Sequence, residues 1–160
     1  MTMRMGMKLI AHRGLYNGPD ESLENHPAQI LDALSKGFDC EVDVWFKADG
    51  GWFLGHHEPK YSVDFEFLEQ AGLWIHAKNL AALYVLTGTE LNYFWHQGDD
   101  CVLTSHCYIW TYPDKPLTKH SIMLMPEWDD PELSNLDISG CYGICSDYVQ
   151  KIKNNYEKRI

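Results

Sequence analysis

The chain alternates short apolar segments with turn-forming residues, and eight of the apolar segments have the length and residue bias of strands. They run Lys8 to His12, Asp39 to Phe46, Trp52 to His56, Leu73 to Lys78, Tyr93 to His96, Cys101 to Ser105, Ser121 to Met125 and Tyr142 to Ser146, each short and often β-branched or aromatic. Three stretches change to helical spacing. Pro27 to Lys36 has Ala28, Ile30, Leu31 and Leu34 apolar and Gly37 as a stop, and Asn79 to Leu86 ends at Gly88. Tyr148 to Lys158 sets Val149 and Ile152 on one side of a basic helix. Strands alternating with helices predict an α/β fold with a parallel sheet.

No low-complexity stretch, charge run or long linker interrupts the 160 residues, so residues 1–160 are expected to form one domain. Eight strand-plus-helix units would have about 20 residues each, against about 250 in all for a usual (β/α)8 barrel, so several helices must be short or missing. Gln97 to Asp100 is too short for a helix, and Thr111 to Lys119 contains prolines.

Charge narrows the partners. Thirteen basic against 23 acidic residues give a net charge of −10, which disfavours nucleic acid and anionic membrane surfaces while leaving cations and small ligands open. Apolar runs such as Leu80 to Leu86 stop short of the roughly 20 residues that span a bilayer, and Met1 to Ala11 has no signal-peptide cleavage pattern. A soluble, unexported, cytoplasmic protein is expected. Five cysteines without a CxxC pair indicate neither a disulfide framework nor a thiolate zinc site, and reduced, mostly buried thiols are expected.

Candidate chemistry lies at strand ends. His12-Arg13-Gly14 closes the first strand with a titratable ring, a permanent cation and a flexible residue, at the terminus where α/β sheets bind ligands; a structural turn is the other reading. Glu41-Val42-Asp43 has the i, i+2 spacing that points both carboxylates to one face. On an interior face two like charges are costly unless a cation such as Mg²⁺ or Ca²⁺ sits between them. On an edge strand they would face solvent, with Cys40, Val42 and Val44 in the core. Leu54-Gly55-His56-His57-Glu58 adds a second histidine cluster, and paired imidazoles suit general acid and base work; the spacing is not that of the HExxH zinc helix.

Taken in order, His12-Arg13-Gly14, Glu24-Asn25, Gly37 to Val44, Ala48-Asp49-Gly50 and Leu54-Gly55-His56 resemble the N-terminal signature of the glycerophosphodiester phosphodiesterases, within the phosphatidylinositol phospholipase C-like superfamily. The resemblance is strongest over residues 8 to 59. Later, Ile75-His76-Ala77-Lys78 falls where the family has a strand reading Glu-x-Lys, and Tyr142 to Tyr148 resembles its closing Gly-x-x-Thr-Asp-Tyr element. The resemblance implies a compact (β/α)8 barrel that hydrolyses a small or lipid-derived phosphodiester with a divalent metal ion. It implies His12 and His56 as the acid-base pair, Arg13, Lys78 and Glu24 on the phosphate side, and Glu41, Asp43 and His76 around the metal. A cation and a guanidinium would neutralise the diester while one imidazole accepts a proton and the other supplies one. In the related mechanism a neighbouring hydroxyl attacks first, so a lyase that stops at the cyclic phosphate shares the same site.

Two positions depart from the family pattern. His76 stands where a glutamate is usual, which weakens Mg²⁺ and Ca²⁺ or favours Mn²⁺ or Zn²⁺. His57 replaces an aspartate. A barrel that has lost its metal and only binds a phosphorylated sugar or lipid head group through Arg13 and Lys78 is the rival reading. Turn residues read Lys47 to Gly51 as a hairpin, which would put His56 at the opposite end from Glu41; the family resemblance implies instead a helix-free return to the barrel floor. The aromatic-rich second half offers Trp110 or Trp128, in loops after strands, as an apolar wall, and Glu127 as a partner for a substrate hydroxyl. Exposed aromatics on a helix-poor barrel would be covered in a homodimer.

Overall fold

All eight predicted strands form, at or inside their predicted bounds, in the computed structural model, which describes residues 7–158. In chain order the elements are β1 (Lys8–Ala11), α1 (Pro27–Ser35), β2 (Asp39–Phe46), β3 (Trp52–Leu54), β4 (Tyr61–Val63), α2 (Phe65–Leu68) and β5 (Leu73–Ala77). There follow α3 (Leu80–Leu86), β6 (Tyr93–Phe94), β7 (Cys101–Leu103), β8 (Ile109–Thr111), β9 (Ser121–Leu124), β10 (Gly143–Ser146) and α4 (Val149–Glu157). The sequence pattern missed β4, β8 and the four-residue α2, because a three-residue strand carries a single period of alternation and its neighbours decide its conformation. Residues 1–6, part of the Met1 to Ala11 stretch expected to carry no leader peptide, lie outside the described residues.

The expected (β/α)8 barrel is not what forms. Among the described residues the strands make one mixed sheet of ten, accompanied by four short helices. Seven strands run parallel in the order β6-β5-β2-β1-β10-β9-β8, while β3 and β4 fold back on β2, and β7 on β8, as antiparallel additions. Connection length explains the difference. A parallel neighbour needs a crossover of about a dozen residues or more, and Lys47 to Gly51 supplies only a tight turn, closed by the Lys47 N–H to Gly51 carbonyl bond of 2.9 Å. The turn from Thr104 to Tyr108, with Cys107 at φ 66°, closes the second hairpin in the same way. Ser105 N–H donates to the Tyr93 carbonyl and Ser105 Oγ to the Leu91 carbonyl, both at 2.8 Å, which ties this turn to the outer edge of β6.

The two faces of the sheet carry different cores. Cys40, Val42, Val44 and Ile75, all fully buried, point to the face covered by α1 and α3, where they meet Ile30, Ala33, Ala82 and Leu86. Their strand neighbours point the other way, onto a cluster of Ile10, Trp74, Phe94, Trp110, Ile122 and Leu124. Phe94 and Trp110 lie 4.6 Å apart between ring centroids, and Trp74 and Trp110 5.9 Å apart. Much of the aromatic richness of the second half is therefore packing rather than exposed surface. Val149 and Ile152 of α4 are buried, as their spacing predicts. The expectation of mostly buried thiols fails at Cys101 and Cys107, which are exposed, and holds at Cys40 and Cys145. Among the described residues no helix is long and apolar enough to cross a membrane.

Candidate metal centre and acid-base pair

β2 lies inside the sheet, flanked by β1, β3 and β5, so its alternation buries both of its faces. Glu41 and Asp43 point to one face, only 2 % and 1 % exposed. The register pairs Asp43 with His76 on β5, and His76 Nδ1 lies 3.0 Å from Asp43 Oδ1 and 3.8 Å from Glu41 Oε1. His76 Nε2 donates to the His96 carbonyl at 2.9 Å; because a carbonyl only accepts, the proton sits on Nε2 and Nδ1 is the atom aimed at the carboxylates. The ring stacks on Phe94 at 5.1 Å with a 7° interplanar angle, which holds it in that orientation. One ligand-capable atom from each of Glu41, Asp43 and His76 falls within 4.8 Å of the others. Two carboxylates and an imidazole nitrogen on one point fit the donor set of a divalent cation.

Burial and the nearby Asp43 charge push the Glu41 carboxyl up. Burial opposes ionisation of Asp43 too, but the His56 hydrogen bond, the adjacent His76 ring and the Arg13 guanidinium outweigh it and hold this carboxyl well below the ordinary range. The two adjacent carboxylates are thus driven apart in proton affinity, Glu41 holding its proton more readily and Asp43 less.

The carboxylates are held from the β1–α1 loop. Asn25, fully buried, donates from Nδ2 to Asp43 Oδ2 and accepts the Asp43 backbone N–H on Oδ1, both at 2.9 Å. It does so from a left-handed conformation, φ 58°, which asparagine tolerates better than most residues. The Arg13 backbone N–H donates to Glu41 Oε2 at 3.1 Å. The Arg13 guanidinium is held by Glu24 through Nη1 at 2.9 Å, with Nε 3.4 Å from Asp43 Oδ2. Lys78 brings its ammonium to 3.9 Å from Asp43 Oδ1. Glu24 is thus a brace for Arg13, and is not among the residues lining the hollow beside the carboxylates.

Both predicted histidines reach this cluster. The hairpin after β2 does form, contrary to the return to a barrel floor that the resemblance implies, yet His56 does not end up remote from the carboxylates. Val44 pairs with Leu54, so the returning chain is level with Asp43 at Gly55, whose N–H donates to the Asp43 carbonyl at 3.1 Å. His56 Nδ1 then lies 3.2 Å from Asp43 Oδ2. Glu41 and Asp43 sit in the middle of an eight-residue strand rather than at its far end, so the hairpin carries His56 back to them.

His12 donates from Nδ1 to Asp147 Oδ1 at 2.8 Å, and its Nε2 is 3.9 Å from Glu41 Oε2. Burial lowers the His12 pKa, but the Asp147 hydrogen bond and the Glu41 charge overcome it and leave the imidazole more basic than usual. Asp147 follows β10, where its own N–H donates to Glu127 Oε1 at 3.0 Å, while Ser146 Oγ donates to Glu127 Oε2 at 2.8 Å. Glu127 therefore corrects its expected role: both of its carboxylate oxygens are engaged in bracing the Ser146–Asp147 corner, and it does not line the hollow. Asn25 and Asp147 fall within the Glu24-Asn25 and Tyr142 to Tyr148 segments of the sequence, where nothing local marks their roles. The available signal was a polar residue at a loop or strand end, too common to single them out.

A hollow of about 550 Å³ opens over the cluster, lined by His12, Arg13, Glu41, Asp43, His56, His76 and Lys78 and also by His96, Trp110, Tyr112 and Trp128. Trp110 lies within β8 rather than in a loop and is 4 % exposed, so it forms a fixed wall; Trp128, in a 3-10 turn after β9, is 59 % exposed at the mouth. His96 leaves both ring nitrogens buried without a hydrogen-bond partner, and burial together with nearby His76 keeps the ring neutral to lower pH than usual. His57 packs edge-on against His56 at 4.4 Å and is not among the residues lining the hollow. A second hollow of about 510 Å³, between Asp39, Trp74 and Tyr142 at the opposite strand ends, gathers no comparable set of converging ligand atoms among the described residues. Compared with models of known protein families and with curated proteins, the chain matches none.

Proposed function

We propose that the protein is a divalent-metal-assisted phosphodiesterase acting on a small or lipid-derived phosphodiester, as the sequence resemblance to the glycerophosphodiester phosphodiesterases implies. The observation that carries this reading is the convergence of Glu41, Asp43 and His76 between two separately anchored histidines, His12 on Asp147 and His56 on Asp43. Arg13 and Lys78 add two cations beside Asp43 in the hollow, where the diester charge would sit. A divalent ion held by Glu41, Asp43 and His76 would supply further charge neutralisation for the phosphate oxygens.

The chain's own residues divide the proton work. His56, tied through Nδ1 to Asp43, keeps Nε2 for accepting the proton of the attacking hydroxyl or water. His12, kept protonated to higher pH by Asp147 and Glu41, suits donation to the leaving alkoxide as the phosphorus–oxygen bond breaks. Attack by a neighbouring hydroxyl gives a cyclic phosphate and the free alcohol; attack by water gives a monoester and the alcohol. Trp110 and Trp128 offer an apolar side for the rest of the substrate. Two exposed free cysteines, Cys101 and Cys107, support a cytoplasmic, reducing setting.

The test is turnover of bis(p-nitrophenyl) phosphate and glycerophosphocholine with Mg²⁺, Ca²⁺, Mn²⁺, Zn²⁺ or EDTA, for the wild type, His12→Ala and Glu41→Ala. Metal-dependent turnover lost in both variants supports the reading, and phosphorus NMR of the products separates hydrolase from cyclising lyase. Folded protein inert with every ion and both substrates overturns it in favour of a phosphate-binding protein built on Arg13 and Lys78.

A further inference from the structure

The third ligand of the centre is a nitrogen, and its surroundings leave it no alternative orientation. We infer that the centre selects a first-row transition ion of the Zn²⁺ or Mn²⁺ class over Mg²⁺ and Ca²⁺, with His76 Nδ1 as its nitrogen ligand; this rests on the metal-assisted reading above. The Nε2 proton of His76 is committed to the His96 carbonyl at 2.9 Å, and Phe94 lies flat against the ring. Turning the ring over would break that bond and aim an N–H away from its acceptor. Nδ1 therefore stays 3.0 Å from Asp43 Oδ1 and 3.8 Å from Glu41 Oε1, where it holds either a proton shared with Asp43 or a cation shared with both carboxylates. A backbone carbonyl on the far nitrogen is the usual outer contact of a metal-bound imidazole, fixing its tautomer and raising its basicity.

Charge points the same way. Two carboxylates face the centre, and two permanent cations, Arg13 at 3.4 Å and Lys78 at 3.9 Å from Asp43, already offset them. Mg²⁺ and Ca²⁺ depend on accumulated oxygen charge, which this pocket lacks, whereas an imidazole ligand adds affinity for borderline ions without adding charge. Three protein ligands also match zinc centres that keep a coordination position open for substrate.

The test combines two measurements on purified full chain stripped with chelator. Competition calorimetry gives dissociation constants for Zn²⁺, Mn²⁺, Mg²⁺ and Ca²⁺ in the wild type and in His76→Glu, which restores an oxygen ligand. Electron spin-echo envelope modulation on the Mn²⁺-loaded wild type reports a coordinated imidazole nitrogen directly, and His76→Gln assigns it. One ion per chain, a nitrogen signal that His76→Gln abolishes, and a preference for Mn²⁺ over Mg²⁺ that falls by about tenfold or more in His76→Glu support the inference. Metal binding with no nitrogen signal, or with one that survives in His76→Gln, overturns it while leaving the phosphodiesterase reading intact. No binding of any ion by folded wild type overturns both. If His76→Glu fails the circular-dichroism check for folding, the spin-echo measurement on the wild type and His76→Gln decides alone.

Discussion

Replacing Asp147 with asparagine removes one charge from the His12 pair and leaves its shape nearly unchanged. Asp147 accepts the His12 Nδ1–H at 2.8 Å, and the two side chains are only 13 % and 20 % exposed, so solvent screens the pair weakly. A hydrogen bond to a charged group is worth about 1.5–3 kcal/mol and a neutral one about 0.5–1.5, so the exchange loses roughly 1–1.5 kcal/mol of preference for the imidazolium. At about 1.36 kcal/mol per pH unit, the His12 titration midpoint should fall by about one unit. It should not fall further, because Glu41 remains 3.9 Å from Nε2 and the Asp147 backbone stays anchored on Glu127. The assay is a titration of the His12 Cε1–H resonance in histidine-labelled, metal-free protein, with His12→Gln to assign the signal. The limb of the rate profile that reports His12 should move with it. A midpoint that stays in place or rises in folded Asp147→Asn would refute the coupling, and with it the assignment of His12 as the proton donor.

The same pair makes stability depend on pH. The folded protein binds the His12 proton more tightly than the unfolded chain does, so the stabilisation is fully present below the unfolded value of about 6.5 and is lost as pH rises through the folded midpoint. Urea unfolding should therefore separate wild type from Asp147→Asn near pH 6 and bring them together near pH 9; a gap that widens with pH contradicts the linkage. Asn25→Ala strands the Asp43 N–H and leaves alanine at φ 58°, costing about 1–3 kcal/mol for the unmet hydrogen bond and roughly 1 more for the backbone, measured by denaturant melts; a loss well under 1 kcal/mol would mean that Asn25 does not hold Asp43. Gly55→Ala would drive a Cβ into the Glu58 carbonyl oxygen, so the loop must shift and carry His56 away from Asp43. It should match His56→Ala in activity, whereas Gly50→Ala, at φ 88° with open space around it, should cost only about 1 kcal/mol of stability and leave turnover unchanged.

The elements and the chemistry of this protein were legible at different depths. β2 forms over Asp39–Phe46 as its pattern predicts, and the i, i+2 spacing put Glu41 and Asp43 on one face because strand geometry alone requires it. The candidates His12, Arg13, His56, His76 and Lys78 do converge on one hollow. Local pattern says nothing of which strand lies beside which. The fold-class expectation failed there: connections too short for parallel crossovers turned back as hairpins, and a mixed sheet of ten strands replaced the barrel. The supports of the site were equally hidden, since His12 meets Asp147 across 135 residues of chain, and Glu127 is drawn into that corner by a backbone N–H that no side-chain motif records. By itself the sequence determined which residues could carry charge, protons or a metal, and which faces of its strands they would occupy, because alternation along a strand is a local property of the backbone. Only the tertiary structure decided that His76 presents Nδ1 rather than Nε2, that Asn25 clamps Asp43 and that Glu127 is a brace rather than a ligand, because each follows from pairing between segments distant in the chain.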